Sequence, residues 1–119
     1  MFGFLRPPTA NRLTIAEAVT RAAAGEMIVI DVREPAEIRA SGKARGALPL
    51  PMASLVMKAD PRSPECVAAL KSGKPIAIYC ASGGRSGMAT RALKKMGHAE
   101  VYNIGGFGDW VAAGGAVER

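Results

Sequence analysis

Pro75-Ile76-Ala77-Ile78-Tyr79-Cys80-Ala81-Ser82-Gly83-Gly84-Arg85-Ser86 decides how this chain is read. Its first five residues form a short apolar run, as expected of a strand covered on both faces. From Arg85 to Met96 the pattern is helical. A thiol, Cys80, therefore sits where a buried strand ends and a helix is about to begin. The small residues between can curl their backbone N–H groups toward one point, with the positive end of the helix behind them. A cysteine at that focus is expected to lose its proton more readily than a free one. Arg85 adds a permanent cation at the far end of the loop. This is the layout of a nucleophile that works on small anions.

Composition bounds the rest. A chain of 119 residues is one domain, large enough to bury a core. Three Phe, two Tyr and one Trp leave the core to aliphatic residues and alanine. The net charge of +6 is spread singly along the chain apart from Lys94-Lys95, without interleaved aromatics. That pattern argues against a nucleic-acid partner and is compatible with mild attraction for anionic substrates. Two cysteines are too few for a disulfide scaffold, and one histidine, His98, makes no metal cluster. The start, Met1 to Pro8, is too short and too quickly charged for a signal peptide, and no apolar run approaches membrane length. We expect a soluble cytoplasmic protein and a monomer, with a loose tail over residues 1–11 and one domain over 12–119.

Working outward from the quoted stretch, strands and helices alternate. Thr14-Ile15-Ala16-Glu17 reads as a capping box opening a helix that Gly25 stops. Met27 to Val32 is a second apolar strand. Glu34 to Ala40 is a short helix ended by Ser41-Gly42, and Ala47 to Leu50 a short strand closed by Pro51. Met52 to Lys58 is helical, followed by a turn at Asp60-Pro61-Arg62. Ser63 is expected to cap a helix with Pro64 at its first position, running to about Lys71. A last strand over Glu100 to Asn103 and a helix around Phe107 to Ala113 complete the order. Such alternation implies an α/β fold with a parallel-type sheet and helices on both faces. Ligands then gather beyond the carboxyl ends of the strands. Two of those ends are chemically loaded: Asp31 and Arg33 after one buried strand, Cys80 after the other.

At these residues the chain resembles a single rhodanese domain, over roughly residues 12–118. Four segments carry the resemblance: Asp31-Val32-Arg33-Glu34-Pro35-Ala36-Glu37; Gly42 to Pro51; Cys80 to Ser86; and Ile104-Gly105-Gly106-Phe107-Gly108-Asp109-Trp110 with Ala113-Gly114 and Val117-Glu118. Lys43 and Pro49 depart from the family's usual histidine and asparagine, and we take both to concern packing around the site. The resemblance implies a central, mostly parallel five-stranded sheet and a sulfurtransferase activity. The expected catalytic residue is Cys80, with Ala81, Ser82, Gly83, Gly84, Arg85 and Ser86 as the loop that binds substrate and persulfide. Asp31, Arg33 and Glu37 are expected to support it from behind, Arg33 and Glu37 as a local ion pair.

The residues allow that chemistry. A Cys80 thiolate attacks the outer sulfur of a donor such as thiosulfate, and cyanide, a thiol or a protein takes the sulfur from the resulting persulfide. The loop amides would hold the anions, and no cofactor beyond the covalent persulfide is implied. Four residues separate Cys80 from Arg85, one fewer than in cysteine phosphatases, so a phosphatase or arsenate reductase is the weaker alternative. A persulfide carrier with little turnover and a non-catalytic regulatory module stay open. Cys66 reads as a core or half-buried thiol, Trp110 as a core anchor, Gly105-Gly106 as the entry to the last helix, and Met52 and Met57 as packing near the site.

Overall fold

Side-chain alternation on two adjacent strands builds the core from both sides. The computed structural model describes residues 13–119, so the tail expected at 1–11 lies outside the described residues. β1 (Ile28–Asp31) and β4 (Ile76–Cys80) pair in parallel, with Ile28 opposite Ile76, Ile30 opposite Ile78 and Asp31 opposite Tyr79. Successive side chains on a strand point to opposite faces. Ile30, Ile76, Ile78 and Cys80 accordingly pack against one helical layer, and Val29, Ala77 and Tyr79 against another.

The first layer holds α3 (Met52–Ala59), a 3-10 helix (Ala68–Lys71) and α4 (Gly84–Lys95), which bury Leu55, Leu70, Ala89 and Leu93. The second holds α1 (Ile15–Ala23) and α5 (Phe107–Ala112), which bury Ala18 and Trp110. Thr14 and Glu17 form the expected capping box, with Glu17 N–H on Thr14 Oγ1 at 3.1 Å and Thr14 N–H on Glu17 Oε1 at 2.8 Å. Between the layers the strand order is β3-β1-β4-β5, all parallel, with β3 at Leu48–Pro49 and β5 at Val101–Gly106. Among the described residues no helix is long and apolar enough to cross a membrane.

The main sheet thus has four strands, not five. The remaining extended residues, β2 (Lys43–Ala44) and β6 (Val117–Glu118), pair antiparallel with each other in a separate two-stranded ribbon. The Ala44 N–H of β2 donates to Tyr79 Oη of the main sheet at 2.9 Å. Lys43 fastens the ribbon through Glu118 and donates to the Ala47 carbonyl at 2.9 Å. Pro49 lies exposed on the edge strand, where a missing N–H costs least. The two departures therefore fall in the ribbon and the sheet edge.

The helix expected from Ser63 to Lys71 is corrected. Ser63 Oγ accepts the Glu65 N–H at 3.1 Å, as a cap would, but the Val67 N–H turns back to the Lys58 carbonyl at 2.8 Å. That bond satisfies a carbonyl at the end of α3 and diverts the amide that would have continued a helix from Ser63. Only the 3-10 turn at Ala68–Lys71 remains.

One buried polar cluster ties the second layer together. Asp31 and Arg33 are 0% and 4% exposed. Asp31 Oδ2 accepts from Arg33 at 2.7 Å and from Tyr79 Oη at 2.6 Å, while Oδ1 accepts the Arg33 N–H at 2.9 Å. Arg33 also donates to Ser41 Oγ and to the Gly42 carbonyl, both at 2.8 Å, at the end of α2 (Pro35–Ser41). Its guanidinium lies 4.4 Å from the centre of the Phe107 ring. Removing one partner from such a buried pair leaves a charge uncompensated. Asp31→Ala is expected to cost roughly 3–5 kcal/mol, whereas Tyr79→Phe, which strands the Ala44 N–H, costs about 1–3 kcal/mol. Chemical denaturation of the two variants beside the parent checks both the sizes and their order.

Candidate active site

Cys80 ends β4, and the chain must turn sharply to enter α4. Gly83 makes the turn at φ +106°, in the left-handed region that favours glycine, and α4 starts at the next residue. The turn brings the Gly83 N–H to 2.9 Å from Cys80 Sγ and the Ser86 hydroxyl to 3.4 Å. Burial of the thiol pushes its pKa up. The Ser86 hydroxyl and the backbone N–H groups of Ser86, Gly83 and Ser82 outweigh it and bring the value down from 9.0 to about 7. All of these donors favour the anion. Cys80 is 1% exposed, while Ala81, Ser82 and Gly84 of the loop are exposed.

Asn103 holds this loop from β5, and the sequence reading missed it. Its Oδ1 accepts the Ser86 hydroxyl at 2.7 Å and the Gly105 N–H at 3.0 Å, and its Nδ2 donates to the Gly83 carbonyl at 3.1 Å. Both ends of the amide are thus fixed by groups of known polarity. Ser86, with one proton, faces three acceptors: Asn103 Oδ1 at 2.7 Å, and the sulfur and the Gly105 carbonyl, both at 3.4 Å. It serves Asn103 at the shorter distance and has the sulfur within reach when a thiolate forms. The available signal was Asn-Ile-Gly, an order that lets an asparagine bond the backbone two residues on.

Gly105 and Gly106 do more than lead into α5. Asn103 pairs with Ile78 and Gly106 with Cys80, so β5 carries one extra residue there. The resulting bulge lays Gly106 under the loop, where an added Cβ would come within 2.2 Å of the Ala81 carbonyl oxygen. The Gly106 N–H is taken by Asp109 Oδ2 at 2.8 Å.

The expected roles of the acidic and basic residues are partly corrected. Arg33 and Glu37 do not pair. Arg33 belongs to Asp31, and Glu37 binds Arg85 through two contacts of 2.7 and 2.9 Å. Arg85 and the Glu34 N–H hold Glu37 down to about 2, so the pair persists through the physiological range. The bidentate clamp fixes Arg85 at the loop's rim and leaves its remaining N–H groups for an anion. Asp31 lies opposite Tyr79, the residue before Cys80, but makes no hydrogen bond to the loop. It shares a face with Tyr79, which points away from the face of Cys80. Its support reaches the loop indirectly, through Tyr79 at the end of β4 and through Arg33, α2 and Glu37.

His98 bonds the Ala59 carbonyl through Nε2 at 2.7 Å, far along from the head of α4. Cys66 is half-buried against the core, its thiol on the Val67 carbonyl at 3.6 Å, and both cysteines are free. Among the described residues no hydrogen bond joins His98 or Cys66 to Cys80.

The chain as a whole is similar to known proteins. The model of the rhodanese-like domain matches residues 14–113. An uncharacterised protein of Bacillus subtilis is 35% identical over 98 residues, covering 82% of this chain and 71% of the relative. A sulfurtransferase of Allochromatium vinosum is 32% identical over 90 residues, covering 75% and 76%. Among solved structures, a Rhodopseudomonas palustris protein of unknown function, described as a possible tyrosine phosphatase, superposes with a TM-score of 0.81. It is 33% identical, over 97% of this chain and 89% of its own. With the family model spanning the sheet, the cysteine loop and the glycines behind it, this chain belongs to the rhodanese-like family.

Proposed function

We propose that this domain is a sulfurtransferase that carries sulfane sulfur on Cys80 from a small anionic donor such as thiosulfate to a thiophilic acceptor. One observation carries the reading most directly. Cys80 Sγ sits among N–H and O–H donors, with its pKa near 7 and no base beside it. The thiolate forms without a histidine, and about half of it is present at neutrality.

In the first displacement the Cys80 sulfur attacks the outer sulfur of thiosulfate. A new S–S bond forms, the bond to the sulfite sulfur breaks, and sulfite leaves with the electron pair. Charge is conserved: a thiolate and a dianion give a persulfide anion and a dianion. In the second displacement cyanide, a thiol or a protein thiolate takes the outer sulfur and Cys80 departs as thiolate. The persulfide's terminal charge extends toward the Ala81–Ser86 amides, which stabilise it as they stabilise the charge shared in each transition state. Arg85, held by Glu37, offers its unused N–H groups to the sulfonate end of the donor. The bowl is shallow, since four residues lie between Cys80 and Arg85, and this favours one sulfur atom over a whole phosphate. The acceptor can be a small nucleophile or a protein, and a reducing compartment such as the cytoplasm keeps both cysteines free.

Incubation with thiosulfate should add about 32 mass units to the intact protein, the increment of one sulfur, and nothing to Cys80→Ser. Absence of the increment in the parent, or hydrolysis of an aryl phosphate that Cys80→Ser abolishes, would overturn the reading. The rate of sulfur loading should rise roughly tenfold per pH unit below about 7 and level off above it. Removing the Ser86 hydroxyl removes a donor that favours the thiolate, so Ser86→Ala should move that inflection to higher pH, read from the same stopped-flow profile. Gly106→Ala should displace the loop and slow loading on the order of 100-fold while the circular dichroism spectrum stays that of the parent.

A further inference from the structure

The helices that flank the loop carry a surface the sulfur-transfer scheme leaves unused. α3 follows β3 and α4 follows β4, so both begin at the carboxyl end of the sheet where Cys80 lies, and they pack side by side. Their outer side exposes Val56, Met57 and Met88 by 61%, 50% and 54%. These are three of the four large apolar side chains exposed among the described residues. Neither helix contains an aspartate or glutamate, and together they carry Lys58, Arg85, Arg91, Lys94 and Lys95. Lys58 has Glu65 at 3.7 Å and Arg85 is clamped by Glu37. None of the ion pairs among the described residues involves Arg91, Lys94 or Lys95. Gly84, Met88, Arg91 and Lys95 follow one another at helical spacing, so a single stripe runs from the mouth of the loop through an apolar residue to unneutralised cations.

We propose that the outer face of α3 and α4 docks an acidic acceptor protein, which sets an apolar side chain against Met88 and Val56 and presents its thiol to the persulfide on Cys80. The proposal rests on the sulfur-transfer reading and names the acceptor class. Charge selects the occupant. A second copy of this face would bring like charges together, which costs affinity. A small acceptor such as cyanide has no use for an apolar surface beside the bowl. An anionic membrane would satisfy the charge, but the face has no aromatic residue to anchor at a lipid interface. A protein with acidic residues around an apolar side chain matches both features, and methionine adapts to such a partner's shape. The sulfur passes as in the second displacement: the partner's thiolate forms a new S–S bond and Cys80 leaves as thiolate.

Two synthetic twelve-residue cysteine peptides test this, one with Asp and Glu around a Leu-Cys centre, the other with Lys at those positions. The parent, loaded with thiosulfate and checked by mass, should discharge to the acidic peptide about tenfold faster than to the basic one at low salt, an advantage that added salt erodes. Met88→Glu and Arg91→Glu should remove the advantage, leaving discharge to neutral 2-mercaptoethanol unchanged. Equal rates with the two peptides, or a preference that survives both substitutions, would overturn the proposal. So would sedimentation of the protein with phosphatidylserine vesicles that both substitutions abolish, which would make the face a membrane contact. Fluorescence anisotropy with the acidic peptide's cysteine replaced by serine reads docking without chemistry. Binding that Met88→Glu suppresses, in a protein that takes up no sulfur, would keep the docking face and remove the sulfur-transfer reading. Loading without selective binding would do the reverse.

Discussion

A buried carboxylate, Asp31, receives Arg33, Tyr79 and a backbone N–H at once, and the geometry around the sulfur follows from that convergence. Tyr79 immediately precedes Cys80, so fixing its ring fixes the end of β4. Arg33 carries the constraint onward to Ser41 and Gly42 at the end of α2. α2 in turn presents Glu37, and Glu37 clamps Arg85 at the loop's rim. An ionised group with so little exposure is tolerable only because each of its hydrogen-bonding positions is met. The same cluster holds β2 beside Tyr79.

On the opposite face of β4 the problem is different. Burial alone makes a thiol a weak acid, and the loop reverses that by aiming main-chain donors and one hydroxyl at the sulfur. Because the donors are main-chain groups, their aim depends on the backbone path. Gly83 sets the path by its left-handed turn, and Gly106 permits it by leaving room for the Ala81 carbonyl. Asn103 then locks it by satisfying Gly83 and Ser86 together. A reactive anion is thus stabilised by rigid dipoles, with the cation at the rim already partnered. In the sulfur transfer we propose, such a site needs no titrating base to hold a small anionic sulfur species. The helices that begin at this end of the sheet meet solvent with apolar and cationic side chains.

Much of this was legible in the residue order, and the exceptions have a common cause. Periodicity marked the strands at Met27–Val32 and Pro75–Tyr79, and the capping box and Gly25 marked the ends of α1. Ser63-Pro64 carried a helix-start signal, yet the Val67 amide found the end of α3 instead of continuing that helix. Arg33 and Glu37, four apart, looked like partners, but a carboxylate two residues away and an arginine 48 residues on were better placed. Asn103 showed only a local turn signal. Its hold on Ser86 exists because β5 lies against β4 with one residue to spare.

The sequence by itself determined the alternating architecture, the thiol at a strand end and the glycines that let the loop turn. These are local matters of period, φ and side-chain size, which a short window of residues contains. Only the tertiary structure decided which charges pair, which face of β4 the sulfur takes relative to Asp31, and which distant residues brace the loop. Hydrogen bonds and ion pairs between residues far apart in the chain depend on distances of a few ångströms that register, bulges and packing set together, and no short window encodes them.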